Sequence, residues 1–176
     1  ANLSEGFTFI NLNLFPIFYP RSEASFNKDG APPADGSKAL GCHFLQWTSS
    51  LHNRDWHNMP LTDRVIVLER LSALEHKLLE EDGQYVTIIK NYGRLVGGSL
   101  SHGHQQIGVS NIQPNRIRQD AKFIKERNES YCAFIQRENP IELQIVDYGP
   151  AVLLVPYYMR RPFDMQLLIK DHAKSH

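Results

Sequence analysis

Asn91-Tyr-Gly-Arg-Leu-Val-Gly-Gly-Ser-Leu-Ser-His-Gly-His-Gln-Gln-Ile107 combines an Asn-x-Gly turn, a Gly97-Gly98-Ser99 loop and a His102-x-His104-x-Gln106 triplet. In an extended segment, side chains at alternate positions share one face, so the triplet points one way. A flexible Gly-Gly-Ser loop just upstream can bring backbone N–H groups close to an anion. Neutral imidazole is a good nucleophile near pH 7, because its unperturbed pKa is about 6.5. These residue types suit a site that holds a phosphoryl group beside an imidazole. A bare His-x-His is more often a metal-ligand pair or a surface accident, and a Gly-Gly pair alone is an ordinary turn. The flanking Asn91, Gly93, Gly97, Ser99 and Gln106 at fixed spacings favour the chemical reading.

The pattern Asn91-x-Gly93-x3-Gly97-x-Ser99-x2-His102-x-His104-x-Gln106 resembles the active-site signature of the histidine-triad superfamily. More narrowly, it resembles the nucleotidyltransferase branch with galactose-1-phosphate uridylyltransferase and the ADP-glucose and dinucleoside-tetraphosphate phosphorylases. Hydrolytic members carry a third His where this chain has Gln106, and the transferases usually have Pro where it has Gly103. The resemblance implies that His104 is the nucleophile, its tautomer held by a nearby backbone carbonyl, with His102 beside it. Attack on an α-phosphorus would give a nucleotidyl-histidine and split one exchange into two displacements. Gln106 can donate an amide N–H to a phosphoryl oxygen but cannot act as acid or base near neutrality, which favours transfer over hydrolysis. Asn91, Gly97, Gly98 and Ser99 would position the phosphoryl groups. Stabilisation of the transferring group should then come mainly from neutral donors, since few basic residues sit in the motif.

Upstream, Phe7 to Phe18 reads as a strand running into a turn at Pro16. Asn13-Leu-Phe-Pro16 resembles the family element that lines the nucleoside pocket, which makes Asn13 a ribose or base contact, with Asn11 a weaker competitor. The structural alternative is a strand-end Asn closing a local turn. Residues 19–40 form a long Pro-, Ser- and Gly-rich loop. Gly41 to His52 reads as the next strand. In the family a His at its end, here His52, joins the first His of the triplet, here His102, in a structural zinc site. The two Cys partners of that set lie upstream of the first residue of this chain, so the visible motif does not complete a tetrahedral site.

Leu61, Val65, Leu68, Leu71, Leu74 and Leu78 predict an amphipathic helix over 62–81, started by Thr62 and Asp63 and stopped by Asp82-Gly83. Residues 84–90 then form a β-branched strand leading to Asn91. Residues 115–137 are helix-compatible, with Ile117, Phe123, Ile124, Tyr131, Phe134 and Ile135 on an apolar side, and 141–146 and 150–158 read as strands. Leu14-Phe-Pro-Ile-Phe18 is echoed by Leu154-Val-Pro-Tyr-Tyr158, and the strand Cys42–His52 by Pro162–His172. Arg160 and Arg161 offer either a phosphate contact or surface charge.

The chain has 176 residues, with 19 basic and 19 acidic side chains, and neither a like-charge block nor a long apolar run. This gives no footprint for nucleic acid or membrane. Its first residues do not resemble a signal peptide, and Cys42 and Cys132 are isolated, so the cytoplasm is the expected compartment.

The expected fold is α+β, an antiparallel sheet with helices packed on one side, histidine-triad-like, the first half of a duplicated uridylyltransferase-like architecture. Residues 1–146 would form the catalytic unit and 147–176 the opening strands of a second, incomplete repeat packed on it. Such a chain would be a fragment, a processed half, or a short protein completed as a homodimer. The expected function is a nucleotidyltransferase or phosphorylase acting on a nucleoside diphosphate sugar or dinucleotide, with phosphate or sugar phosphate as acceptor and no organic cofactor. The alternatives are a hydrolase of the same fold and a nucleotide- or metal-binding module without turnover.

Overall fold

The computed structural model describes residues 4–5, 8–18, 39–80, 85–98 and 100–170. The chain forms two compact units, Ala1–Gln113 and Pro114–His176.

In the first unit, β1 (Ser4–Glu5), β2 (Thr8–Leu12), β3 (Gly41–Trp47), β4 (Tyr85–Ile89) and β5 (His104–Ser110) make one antiparallel sheet, ordered β1-β2-β3-β5-β4. Strand alternation gives the sheet two different faces. One face packs Ile10, Phe44, Val86, Ile107 and Val109 against Leu71, Leu74 and Leu78 of the helix α1 (Leu61–Leu79). The other face carries, across adjacent strands, Phe9, Asn11 and Asn13, then His43, Leu45 and Trp47, then His104, Gln106 and Gly108.

The buried stripe of α1 runs through Val67, Leu71, Leu74 and Leu78, whereas Leu61, Val65 and Leu68 are exposed. The stripe predicted from spacing is therefore rotated at its N-terminal end. Gln46, fully buried in β3, explains the rotation: its Nε2 donates to the Val67 carbonyl at 2.9 Å, which turns that side of the helix to the sheet. Gln46 Oε1 also accepts from Gln105 Nε2 at 2.7 Å, so the core contains a satisfied polar pair. The residue before the helix is Pro60, and no side chain caps it; the Thr62 hydroxyl turns instead to Asp63. The predicted stop at Asp82-Gly83 and most of the predicted loop, residues 19–38, lie outside the described residues.

In the second unit the predicted 115–137 helix is two helices, α2 (Asn115–Arg127) and α3 (Tyr131–Glu138). Asn128 ends α2 in the left-handed region, with φ 52°, and Ser130 starts α3 by accepting a hydrogen bond from Ala133 N at 3.1 Å. Next come a 3-10 turn over Ile141–Leu143 and the three-stranded antiparallel sheet β6 (Gln144–Asp147), β7 (Ala151–Leu154) and β8 (Gln166–Ile169). Val152, Leu154 and Leu168 on one face of this sheet pack with Cys132 and Ile135 of α3. Each unit is thus an antiparallel sheet with helix on one side, the α+β class expected.

Strand register bears on the internal echo. Ile10 pairs with Gln46, and Leu154 pairs with Gln166. Aligning the two glutamines places Ile10, not Leu14, on Leu154. The two sequence matches therefore cannot both hold in one superposition. Arg160 and Arg161 are exposed in the β7–β8 connection, and His172 lies outside the described residues.

Candidate active site

β5 begins at His104, so only His104 and Gln106 of the triplet are on a strand; His102 precedes it in a bend. Both histidine rings nevertheless lie against Trp47, with centroids 5.2 Å away for His102 and 5.8 Å for His104. Trp47 is fixed in turn by stacking on Phe9 and by donating Nε1–H to Asn11 Oδ1 at 2.7 Å. Asn11 is therefore occupied as a support for the indole.

Hydrogen bonding fixes the ring states. His104 Nδ1 is 2.9 Å from the His102 carbonyl, which can only accept, so Nδ1 carries a proton, and in the neutral ring Nε2 bears the lone pair. His104 is buried, at 8% exposure, yet it lines a hollow of about 340 Å³. His102 Nε2 lies 2.5 Å from the Ser49 carbonyl and is likewise the protonated nitrogen, so its Nδ1 accepts from His52 Nδ1 at 2.9 Å.

His52 and His102 thus converge, and in this arrangement the lone pair on His102 Nδ1 is taken up by His52. Among the described residues, however, no group of three His, Cys, Asp or Glu side chains forms a metal site. A tetrahedral zinc set is not completed by these residues.

The hollow gathers Asn91, Gly98, His102 and His104 together with Asp55, Lys90, Tyr92, Arg94 and Leu100. Arg94 opens a 3-10 turn, Arg94–Val96, closed by Gly97 at φ 85°. Gly98 N donates to the Gly93 carbonyl at 3.0 Å, and a Cβ at Gly98 would sit 2.8 Å from that oxygen. Gly97 thus supplies the turn and Gly98 the close backbone approach. Ser99 lies outside the described residues.

Asn13 and Gln106 are not in the hollow; they group around His43 on the same sheet face. Asn13 Nδ2 is 3.1 Å from His43 Nδ1, while Asn13 Oδ1 accepts from Phe15 N at 3.1 Å and closes the local turn. Burial lowers the His43 pKa, and the neighbouring Gln106 amide opposes that shift. His43 Nε2 is buried with no hydrogen bond of normal geometry. Phe18 closes this strip from above, and a Cβ at Gly108 would lie 2.8 Å from its ring.

Three residues were not singled out from sequence: Asp55 and Lys90, which line the hollow with His104, and His43, which lies with Asn13 and Gln106. Lys90 Nζ pairs with Asp55 Oδ2 at 2.8 Å and donates to the His104 carbonyl at 2.9 Å. Burial alone would raise the Asp55 pKa, but Lys90, the Trp56 N–H and the Thr48 hydroxyl outweigh it and hold the carboxyl below its usual range. Arg94 forms no ion pair with a described residue. The hollow therefore contains cations beside the neutral donors expected from the motif. Lys90 could have been noticed as a charge ending a β-branched strand directly before Asn91; Asp55 left no such signal.

The fold has known counterparts. By fold, the chain matches a solved uridylyltransferase with TM-score 0.77 at 19% identity, over 94% of this chain and 54% of that one. It also matches an ADP-glucose phosphorylase from Arabidopsis thaliana, solved with bound ADP-glucose, with TM-score 0.74 at 18% identity, over 94% and 51%. The class is therefore a uridylyltransferase-like α+β fold. By sequence, the chain is 28% identical over 140 residues to galactose-1-phosphate uridylyltransferase of Thermotoga maritima, and 27% over 155 residues to that of Haemophilus influenzae. These alignments cover 76% and 84% of this chain but 43% and 44% of the relatives, so the chain spans less than half their length. No protein-family model matches the sequence. The resemblance drawn from residues 91–107 is thus matched in sequence by galactose-1-phosphate uridylyltransferases and in fold by an ADP-glucose phosphorylase. Among the described residues no helix is long and apolar enough to cross a membrane.

Proposed function

We propose that this chain carries the nucleotidyl-transfer site of a nucleotidyltransferase or phosphorylase acting on a nucleoside diphosphate sugar, with His104 as the nucleophile. One observation carries the proposal. The His102 carbonyl holds the Nδ1 proton of His104, leaving a lone pair on Nε2 of a ring that lines an open hollow. Nε2 attacks the α-phosphorus, and the bond to the bridging oxygen breaks. The sugar phosphate leaves with the electron pair. The oxygen of an incoming phosphate or sugar phosphate then attacks the same phosphorus, and the P–N bond breaks to return His104. Arg94 and the backbone around Gly98 supply positive charge and donors for the phosphoryl oxygens. Asn91 and Ser99 assist, Asn13 serves the nucleoside, and Gln106 guards the covalent intermediate. The relatives named for uridylyl transfer and ADP-glucose phosphorolysis support this reaction class and the nucleotide-sugar substrate. Two free thiols accord with a cytoplasmic setting. The β7–β8 pair, with Gln166 opposite Leu154 as Gln46 is opposite Ile10, supports reading residues 147–176 as the opening strands of a second repeat.

Intact-mass measurement after incubation with separate UDP-, ADP- and GDP-sugars tests the reading. An acid-labile adduct of nucleoside monophosphate mass is expected, absent in His104→Ala, and its mass names the base. A His104→Ala protein that still acquires the adduct refutes the assignment. Release of that adduct by phosphate or a sugar phosphate, rather than by water, separates transfer from hydrolysis.

A further inference from the structure

Three consecutive carbonyls at the start of β5 are each held. His102 O takes the Nδ1–H of His104, Gly103 O accepts from Thr48 N at 3.0 Å, and His104 O accepts from Lys90 Nζ at 2.9 Å. The last two of these holds come from one cluster. Asp55, 5% exposed, binds Lys90 through Oδ2, and through Oδ1 it accepts from the Thr48 hydroxyl at 3.1 Å and from Trp56 N at 2.8 Å. The cluster reaches the backbone because residue 103 has no side chain. A Cβ there would stand 2.7 Å from Asp55 Cγ and 2.6 Å from Thr48 Oγ1.

We propose that Asp55 and Lys90 are a positioning couple for the nucleophile: Asp55 fixes the Lys90 ammonium, which grips the His104 carbonyl and keeps the imidazole aimed into the hollow. Stability gives a poor account of the pair. A buried ion pair typically stabilises no more than an apolar pair of the same volume, because both charges lose water. What this pair does is hold the one stretch of backbone whose carbonyls fix the ring and its tautomer. Misplacing a reacting group by about 1 Å can cost about a hundredfold in rate, so a clamp on the carbonyl of the residue that bears the reacting ring acts on the chemical step. The proposal rests on His104 being the nucleophile.

The test uses the full chain and the double variant Asp55→Asn/Lys90→Met, which leaves no charge buried alone. Amide hydrogen exchange over residues 100–106 is expected to quicken by roughly tenfold or more, with residues 41–47 and 85–89 unchanged. The maximal rate of nucleotidyl-adduct formation is expected to fall about ten- to a hundredfold, with the half-saturating substrate concentration shifted by less than about threefold. Lys90→Arg, which keeps charge and donors, should recover most of that loss. Unchanged exchange over 100–106, or a loss confined to the half-saturating concentration, overturns the proposal. Should the double variant be unfolded, Lys90→Gln takes its place under the same criteria. If the wild-type protein forms no adduct at all, the reaction assigned to the site fails, and exchange alone then decides whether the clamp exists.

Discussion

Replacing Gly103 by Ala probes the narrowest point of the site. The backbone there is not left-handed, so an L side chain meets no conformational penalty, and loss of glycine's freedom in the unfolded chain would by itself stabilise by about 0.4–1 kcal/mol. The added methyl, however, would lie 2.6 Å from Thr48 Oγ1, 2.7 Å from Asp55 Cγ and 2.8 Å from the Arg54 carbonyl. None of these is a free chain end. Thr48 and Asp55 are bonded to each other, Asp55 is also bonded to Lys90, and the Arg54 oxygen is backbone. Overpacking of such a site typically costs about 1–3 kcal/mol, so crowding outweighs the entropic gain and leaves a net loss of about 1–2 kcal/mol. For a chain of this size that is a fall in melting temperature of roughly 2–8 °C. Thermal unfolding followed by far-UV circular dichroism reads it directly. A Gly103→Ala protein that melts at or above the wild-type temperature would show that the Asp55 cluster does not press on residue 103, and the reasoning on the clamp would lose its steric half.

Gln46→Ala removes the acceptor of Gln105 Nε2 and the donor to the Val67 carbonyl, both buried; a loss of about 2–4 kcal/mol is expected in chemical denaturation. Stability should also fall with pH in two steps. The lowered pKa of His43 keeps that ring neutral in the fold, so its contribution is complete above about pH 6.5 and declines as the pH drops below that value. Asp55, held below its usual range, contributes fully above about pH 4 and loses that contribution as the pH falls through its folded value. Unfolding midpoints measured from pH 8 to 3 check both, and His43→Phe and Asp55→Asn should each remove one step.

The chemistry-bearing stretch was legible because its signals are local. Alternation put His104 and Gln106 on one face, and glycines marked the turn and the close approach. Packing was legible where periodicity and burial coincide, as from Leu71 to Leu78. It failed at Val65 and Leu68, because a tertiary bond from Gln46 chose the buried side of the helix and no local pattern encodes it. The break at Asn128 was missed because the flanking residues are all helix-compatible, and only Ser130 as a cap betrays it. Asp55 and Lys90 stayed hidden for the same reason as Gln46. Their meaning depends on partners 35 positions apart in the chain, and neither belongs to a spacing motif.

Trp47 touches both histidine rings and is anchored on its far side by Phe9 and Asn11. An indole so placed is an optical witness to its neighbours, because charge or bulk arriving on an adjacent imidazole alters its emission. The protein contains one other tryptophan, Trp56, whose backbone N–H donates to Asp55. With that second fluorophore changed to Phe, the light from Trp47 would follow events at residue 104 in real time, without dye, label or coupled enzyme.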